Sequence, residues 1–188
     1  MIDSLCDQAE GKDVAVVWLY CDFLAQKEQS ATSMLGAILK HLFSRGGIPE
    51  HVREAFQKAK EEFSGRGLLL PDLVEIVKKA VASLPRVFIC IDALDESTQQ
   101  CRRELLESLQ EIVQVSANTR LFLTGRPHVG EDIIKCFSEV VRIHLTPTQD
   151  DIKSYLEMRL DEDIDPDMMD NELRADIMRV IPEKISEV

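Results

Sequence analysis

Arg86-Val-Phe-Ile-Cys-Ile-Asp-Ala-Leu-Asp-Glu96 is the stretch on which the fold turns. Residues 87–91 form an unbroken apolar run, rich in β-branched side chains and too short for a helix, and it stops at Asp92. A continuous apolar run, as opposed to an alternating one, is what a parallel strand covered by helices on both faces looks like. Asp95 and Glu96 follow on the next turn, so three carboxylates sit just past the strand's carboxyl end. A parallel sheet binds ligands outside that end, and three like charges there are costly without a cation.

Working outward, similar runs occur at 14–20, 121–124 and 140–145. The intervening segments 30–44, 49–63, 71–83, 99–116 and 131–137 carry apolar residues at helical spacing. Ser30 precedes the first of these and Gly46-Gly47 ends it, while Pro49 and Pro71 occupy first-turn positions where proline is tolerated. Strands alternating with helices predict an α/β fold built on a parallel sheet. Beyond Thr146 the pattern turns purely helical, over 148–160, 168–180 and from Pro182 onward. The expected organisation is therefore an α/β core over 1–146 and a helical subdomain over 147–188.

The chain has 188 residues, 45% of them hydrophobic and 30% charged, with a formal charge of −12. That composition belongs to a folded globular domain. So acidic a balance argues against a nucleic-acid surface, whose affinity comes from Lys and Arg neutralising phosphates. No apolar run reaches the ~18 residues of a membrane-spanning helix. Residues 1–10 carry Asp3, Asp7 and Glu10 without a basic stretch, unlike a secretory or transit peptide, so a cytoplasmic location is expected. Five scattered cysteines without a Cys-x-x-Cys pair read as reduced, mostly buried thiols.

An apolar strand ending in Asp has the form of a Walker B segment, in which the Asp holds Mg²⁺, usually through water, and a nearby acid positions the attacking water. The alternative is that the acids merely cap the helix at Gln99. A second informative stretch is Thr119-Arg-Leu-Phe-Leu-Thr-Gly-Arg-Pro127. In the same sheet it would carry the Thr124 hydroxyl and the Arg126 guanidinium to the same edge, where a planar cation can sense a terminal phosphate. Its bland reading is a surface arginine in a turn.

Together these pieces resemble the NACHT group of signal-transduction (STAND) P-loop NTPases, in its fungal-type, nephrocystin-like branch. The matching residues are Trp18-Leu-Tyr-Cys-Asp-Phe23, Leu35-Gly-Ala-Ile-Leu-Lys-His-Leu42, Asp92-Ala-Leu-Asp-Glu96, Thr124-Gly-Arg-Pro127 and the helix opened by Thr146-Pro-Thr-Gln-Asp-Asp-Ile152. The resemblance implies a three-layer α/β P-loop fold with a helical lid, and ATP and Mg²⁺ as cofactors. By it Asp92 would bind the metal, Asp95 and Glu96 would lie beside the hydrolytic water, Arg126 would be the sensor-like arginine, and Thr124 would bind the nucleotide with it. It also implies a signalling switch with protein partners engaged through effector and repeat regions, and nucleotide-dependent homo-oligomers in the parent protein.

One departure stands out. The chain holds no Gly-x-x-x-x-Gly-Lys-Ser/Thr loop, and its one Gly-Lys pair, Gly11-Lys12, is followed by Asp13 and precedes a strand instead of following one. That loop supplies most triphosphate contacts, so the sequence reads as a fragment beginning just after it, lacking the first strand and unable to hold ATP tightly alone. The alternative expectation is a nucleotide-free protein-interaction module.

Rival motifs fail on particular residues. A receiver domain needs a Lys on a later strand end, where 140–145 offers His144. A haloacid-dehalogenase nucleophile needs a second Asp where Leu94 stands. Asp161, Asp163, Asp165 and Glu172 mimic a calcium loop, but Pro166 occupies the position of the sharp turn, so an acidic solvated turn is the expected reading. Histidines 41, 51, 128 and 144 share no ligand spacing.

Overall fold

The computed structural model describes residues 14–44, 47–62, 68–162 and 170–185, together with Leu5 and Asp7. The chain divides into two compact units, Met1–Val140 and Val141–Val188. In the first, β1 (Ala15–Tyr20) is followed by α1 (Ala31–Leu42), α2 (Glu50–Glu62) and α3 (Leu70–Ala82). Then come β2 (Val87–Asp92), α4 (Gln99–Gln114), β3 (Thr119–Leu123) and the short α5 (Gly130–Cys136). The second unit holds α6 (Gln149–Asp161) and α7 (Asn171–Ile185). Among the described residues no helix is long and apolar enough to cross a membrane.

The caps explain where the helices begin. Ser30 and Ser33 form a reciprocal capping box at α1, Pro71 sits in the first turn of α3, and Thr98 accepts from the Cys101 N–H at α4. Each such side-chain cap contributes about 1 kcal/mol by satisfying an orphan N–H. Thr98 therefore caps α4, and the acids before it do other work.

The three strands are parallel in the order β1-β2-β3, with Val17 opposite Ile89 and Ile89 opposite Leu121. Because strand side chains alternate, Val17, Val87, Ile89, Ile91 and Thr119 share one face and are all essentially buried. Against that face Leu35 and Ile38 of α1, Val77 of α3, and Leu105, Leu109 and Ile112 of α4 complete one core. The opposite face carries Trp18, Phe88 and Phe122, half-buried or exposed, around a buried Cys90, with the two phenyl rings 6.0 Å apart. The helical layer that the strand pattern predicts on both faces is thus observed, among the described residues, on the face of the core. Buried Arg102 fastens α5 to α4, its Nε donating to Asp132 and its Nη1 to the Ser97 carbonyl, both at 3.1 Å.

Val87 N–H donates to the Asn118 carbonyl and Thr124 N–H to the Ile91 carbonyl. Parallel pairing alternates along a strand, so Leu121 and Leu123 turn their N–H and C=O groups outward. Among the described residues no strand covers that edge of β3.

Two expectations are corrected. Residues 140–145, predicted as a strand, form no regular structure, and Val141, Ile143 and Leu145 are exposed. β-Branched composition describes fitness for a sheet and does not create one without a neighbouring edge to pair with. Pro182 does not open a new helix but lies buried inside α7. Its missing N–H removes a single intrahelical bond, and the helix continues through it. Met168 and most of the acidic turn 161–172 fall outside the described residues.

Candidate functional site at the carboxyl edge of the sheet

Asp92 is the last residue of β2 and Thr124 follows the last residue of β3, so the ladder itself sets them side by side. The Thr124 hydroxyl donates to Asp92 Oδ1, and its oxygen accepts from the Ala93 N–H at 3.0 Å. Leu94 N–H donates in turn to the Thr124 carbonyl at 2.9 Å. Ala93 makes the sharp exit from the strand with a φ of 54°, a left-handed conformation that alanine adopts at a cost of ~1–2 kcal/mol. Buried Leu94 then anchors a single 3₁₀ turn, Leu94–Glu96, that carries the other two acids.

Asp95 is spent on Arg126. Its Oδ1 accepts from the Arg126 N–H at 3.1 Å and its Oδ2 lies 3.3 Å from Arg126 Nε. The carboxylate is 9% exposed and the guanidinium 76%, so a nearly buried anion is neutralised by a cation that remains in solvent. Gly125 makes this approach possible: a Cβ there would stand 2.8 Å from Val129 Cγ2 and 3.3 Å from Asp95 Oδ1. Glu96 faces the other way. Its Oε2 accepts from the Phe23 N–H at 3.0 Å and its carbonyl accepts from Gln26 Nε2 at 2.6 Å.

Asp92 with Thr124 and Asp95 with Arg126 therefore form two linked pairs at one edge, and Glu96, on the same turn as Asp95, is bonded instead to Phe23 and Gln26. Sequence reasoning missed Cys21, which lies beside them because Cys21 N–H donates to the Asp92 carbonyl at 3.0 Å. Burial, then the charges of Cys101, Glu96, Asp92 and Asp95, push its thiol up to about 11. The available signal was its position directly after β1, in register with the end of β2.

Among the described residues no group of three His, Cys, Asp or Glu side chains could hold a metal ion. Both Asp95 oxygens are turned to Arg126, whereas Asp92 Oδ2 and Glu96 Oε1 stand outside these bonds.

A parallel α/β domain with an acid-rich carboxyl edge, closed by a Thr–Asp and an Arg–Asp pair, is the class that fold and site define. The sequence profile described as Nephrocystin 3, N-terminal matches residues 1–126, a span containing all three strands and all five edge residues, and the chain belongs to that family. No curated protein matches the chain.

Proposed function

We propose that this domain is the acid-bearing part of a NACHT-like, nucleotide-responsive signalling switch of the P-loop NTPase class. The observation that carries the reading is the convergence of Asp92, Asp95, Glu96, Thr124 and Arg126 at the edge where a parallel sheet binds ligands. ATP with Mg²⁺ is the proposed ligand, with Asp92 toward the metal, Thr124 and Arg126 toward the nucleotide, and Asp95 and Glu96 beside the hydrolytic water. The edge of β3 that no described strand covers supports it, since it offers hydrogen-bonding groups to a further parallel strand such as one leading into a phosphate loop. Arg126, 76% exposed, is accessible to an anion that would compete with Asp95 for it.

A second reading, a nucleotide-free interaction module, is favoured by one observation: the side chains of Asp95 and Glu96 are already engaged within the chain. Calorimetry with ATP·Mg²⁺ separates the two, using this chain beside a version extended upstream through a Gly-Lys-Ser/Thr loop. Binding by the extended version alone supports the switch, whereas binding by neither moves the assignment to the module. In a binding version Asp92→Asn and Glu96→Gln are each expected to cut hydrolysis, and full activity in both would remove these role assignments.

A further inference from the structure

The turn after β1 displays apolar side chains to solvent: Phe23 is 66% exposed and Leu24 91%. It is held on three sides. Asp22 Oδ1 accepts from the Leu24 N–H at 2.8 Å, Gln29 Oε1 accepts from the Asp22 N–H at 3.3 Å, and Glu96 reaches across from the turn after β2 to take the Phe23 N–H. Gln26 closes the loop by donating to the Glu96 carbonyl. A chain gains nothing in water by fixing a phenyl ring and an isobutyl group in the open, whereas a preformed apolar tip binds at little ordering cost. Asp22 and Glu28 are exposed on the same turn, and Asp92 and Glu96 stand half-buried at its base, against Lys27 as its one cation. So acidic a collar repels an anionic lipid surface and complements a cationic protein one.

We propose that Phe23 and Leu24 form a docking tip for an apolar-anchored, Lys/Arg-flanked segment of a protein partner, and that Glu96 is the positioning residue that holds the tip out. The inference stands independently of nucleotide binding.

The probe is an amphipathic helical peptide of Leu and Lys, compared with a Leu–Glu peptide of the same pattern and with phosphatidylcholine vesicles. The chain is expected to bind the Leu–Lys peptide, and the Phe23→Ser/Leu24→Ser double variant to bind it roughly tenfold or more weakly. Equal binding by the double variant, equal binding of the Leu–Glu peptide, or vesicle binding that the double variant loses would each overturn the docking claim. For Glu96, hydrogen exchange is the readout: Glu96→Ala is expected to speed exchange of the Phe23 amide roughly tenfold, while Glu96→Gln, which keeps an acceptor oxygen, preserves its protection. Unchanged protection in Glu96→Ala, or loss in both variants, would overturn the positioning role.

Discussion

Thr124 and Asp92 end neighbouring parallel strands and are tied by the Thr124 hydroxyl, which donates to Asp92 Oδ1 while accepting from the Ala93 N–H. One oxygen thus serves the acid at the strand end and the backbone of the strained turn beyond it. Replacing it leaves a half-buried N–H without its acceptor, a loss of ~1–3 kcal/mol. Thr124→Val, which keeps the shape, is expected to lower the urea midpoint accordingly, and Thr124→Ser to restore most of it. Equal stability of the Val variant would show that the bond contributes nothing to the fold.

Gly125→Ala is expected to destabilise the domain by about 1–3 kcal/mol, the range for forcing a methyl into a packed site. The added Cβ meets Val129, a branched and 2% exposed side chain with little room to move, before it meets Asp95. Thermal unfolding tests this, and a midpoint equal to that of the parent chain would mean that the Pro127–Val129 turn yields freely.

Cys21 links the site to pH. Its thiol is raised to about 11 in the fold, against ~8.5 for a free thiol. Between those values the unfolded chain gives up the proton and the folded chain keeps it, so the contribution is complete below the lower value and is lost as pH rises through the upper one. Alkylation of Cys21 by iodoacetamide should be slow at pH 8 and accelerate only toward pH 11. A rate profile centred near the free-thiol value would contradict the burial described here.

In the second unit, Thr148 holds the Asp151 carboxyl below its ordinary value, first through its hydroxyl and then through its N–H. Since the folded value is depressed, the stabilisation is present above the unfolded value and lost as pH falls through the folded one. Thr148→Ala should return the Asp151 titration, followed by NMR, toward the ordinary carboxylate range and fray the start of α6. An unshifted titration would show that the capping box does not persist in solution.

The sheet was legible because each observed strand carries its own signature: 87–91 is apolar throughout and stops at a carboxylate, and the helices between announce themselves by Ser30 and the first-turn Pro71. The residue types at the carboxyl edge could be named for the same reason. Their partners could not. Glu96 and Phe23 lie 73 positions apart, and nothing local in either segment says that the acid will take that amide. Residues 140–145 show the converse failure, since composition favours a strand whose pairing depends on what stands beside it.

The flank of β3 that no described strand covers also bears on how concentrated solutions should behave. At neutral pH a charge of −12 holds copies apart, but the isoelectric point is about 4.8. As a buffer approaches that point, or as salt shortens the screening length to ~3 Å at 1 M, the repulsion fades while the outward Leu121 and Leu123 amides keep their appetite for a strand. Mild acidity is therefore where this chain should precipitate, in β-rich particles whose growth begins at β3.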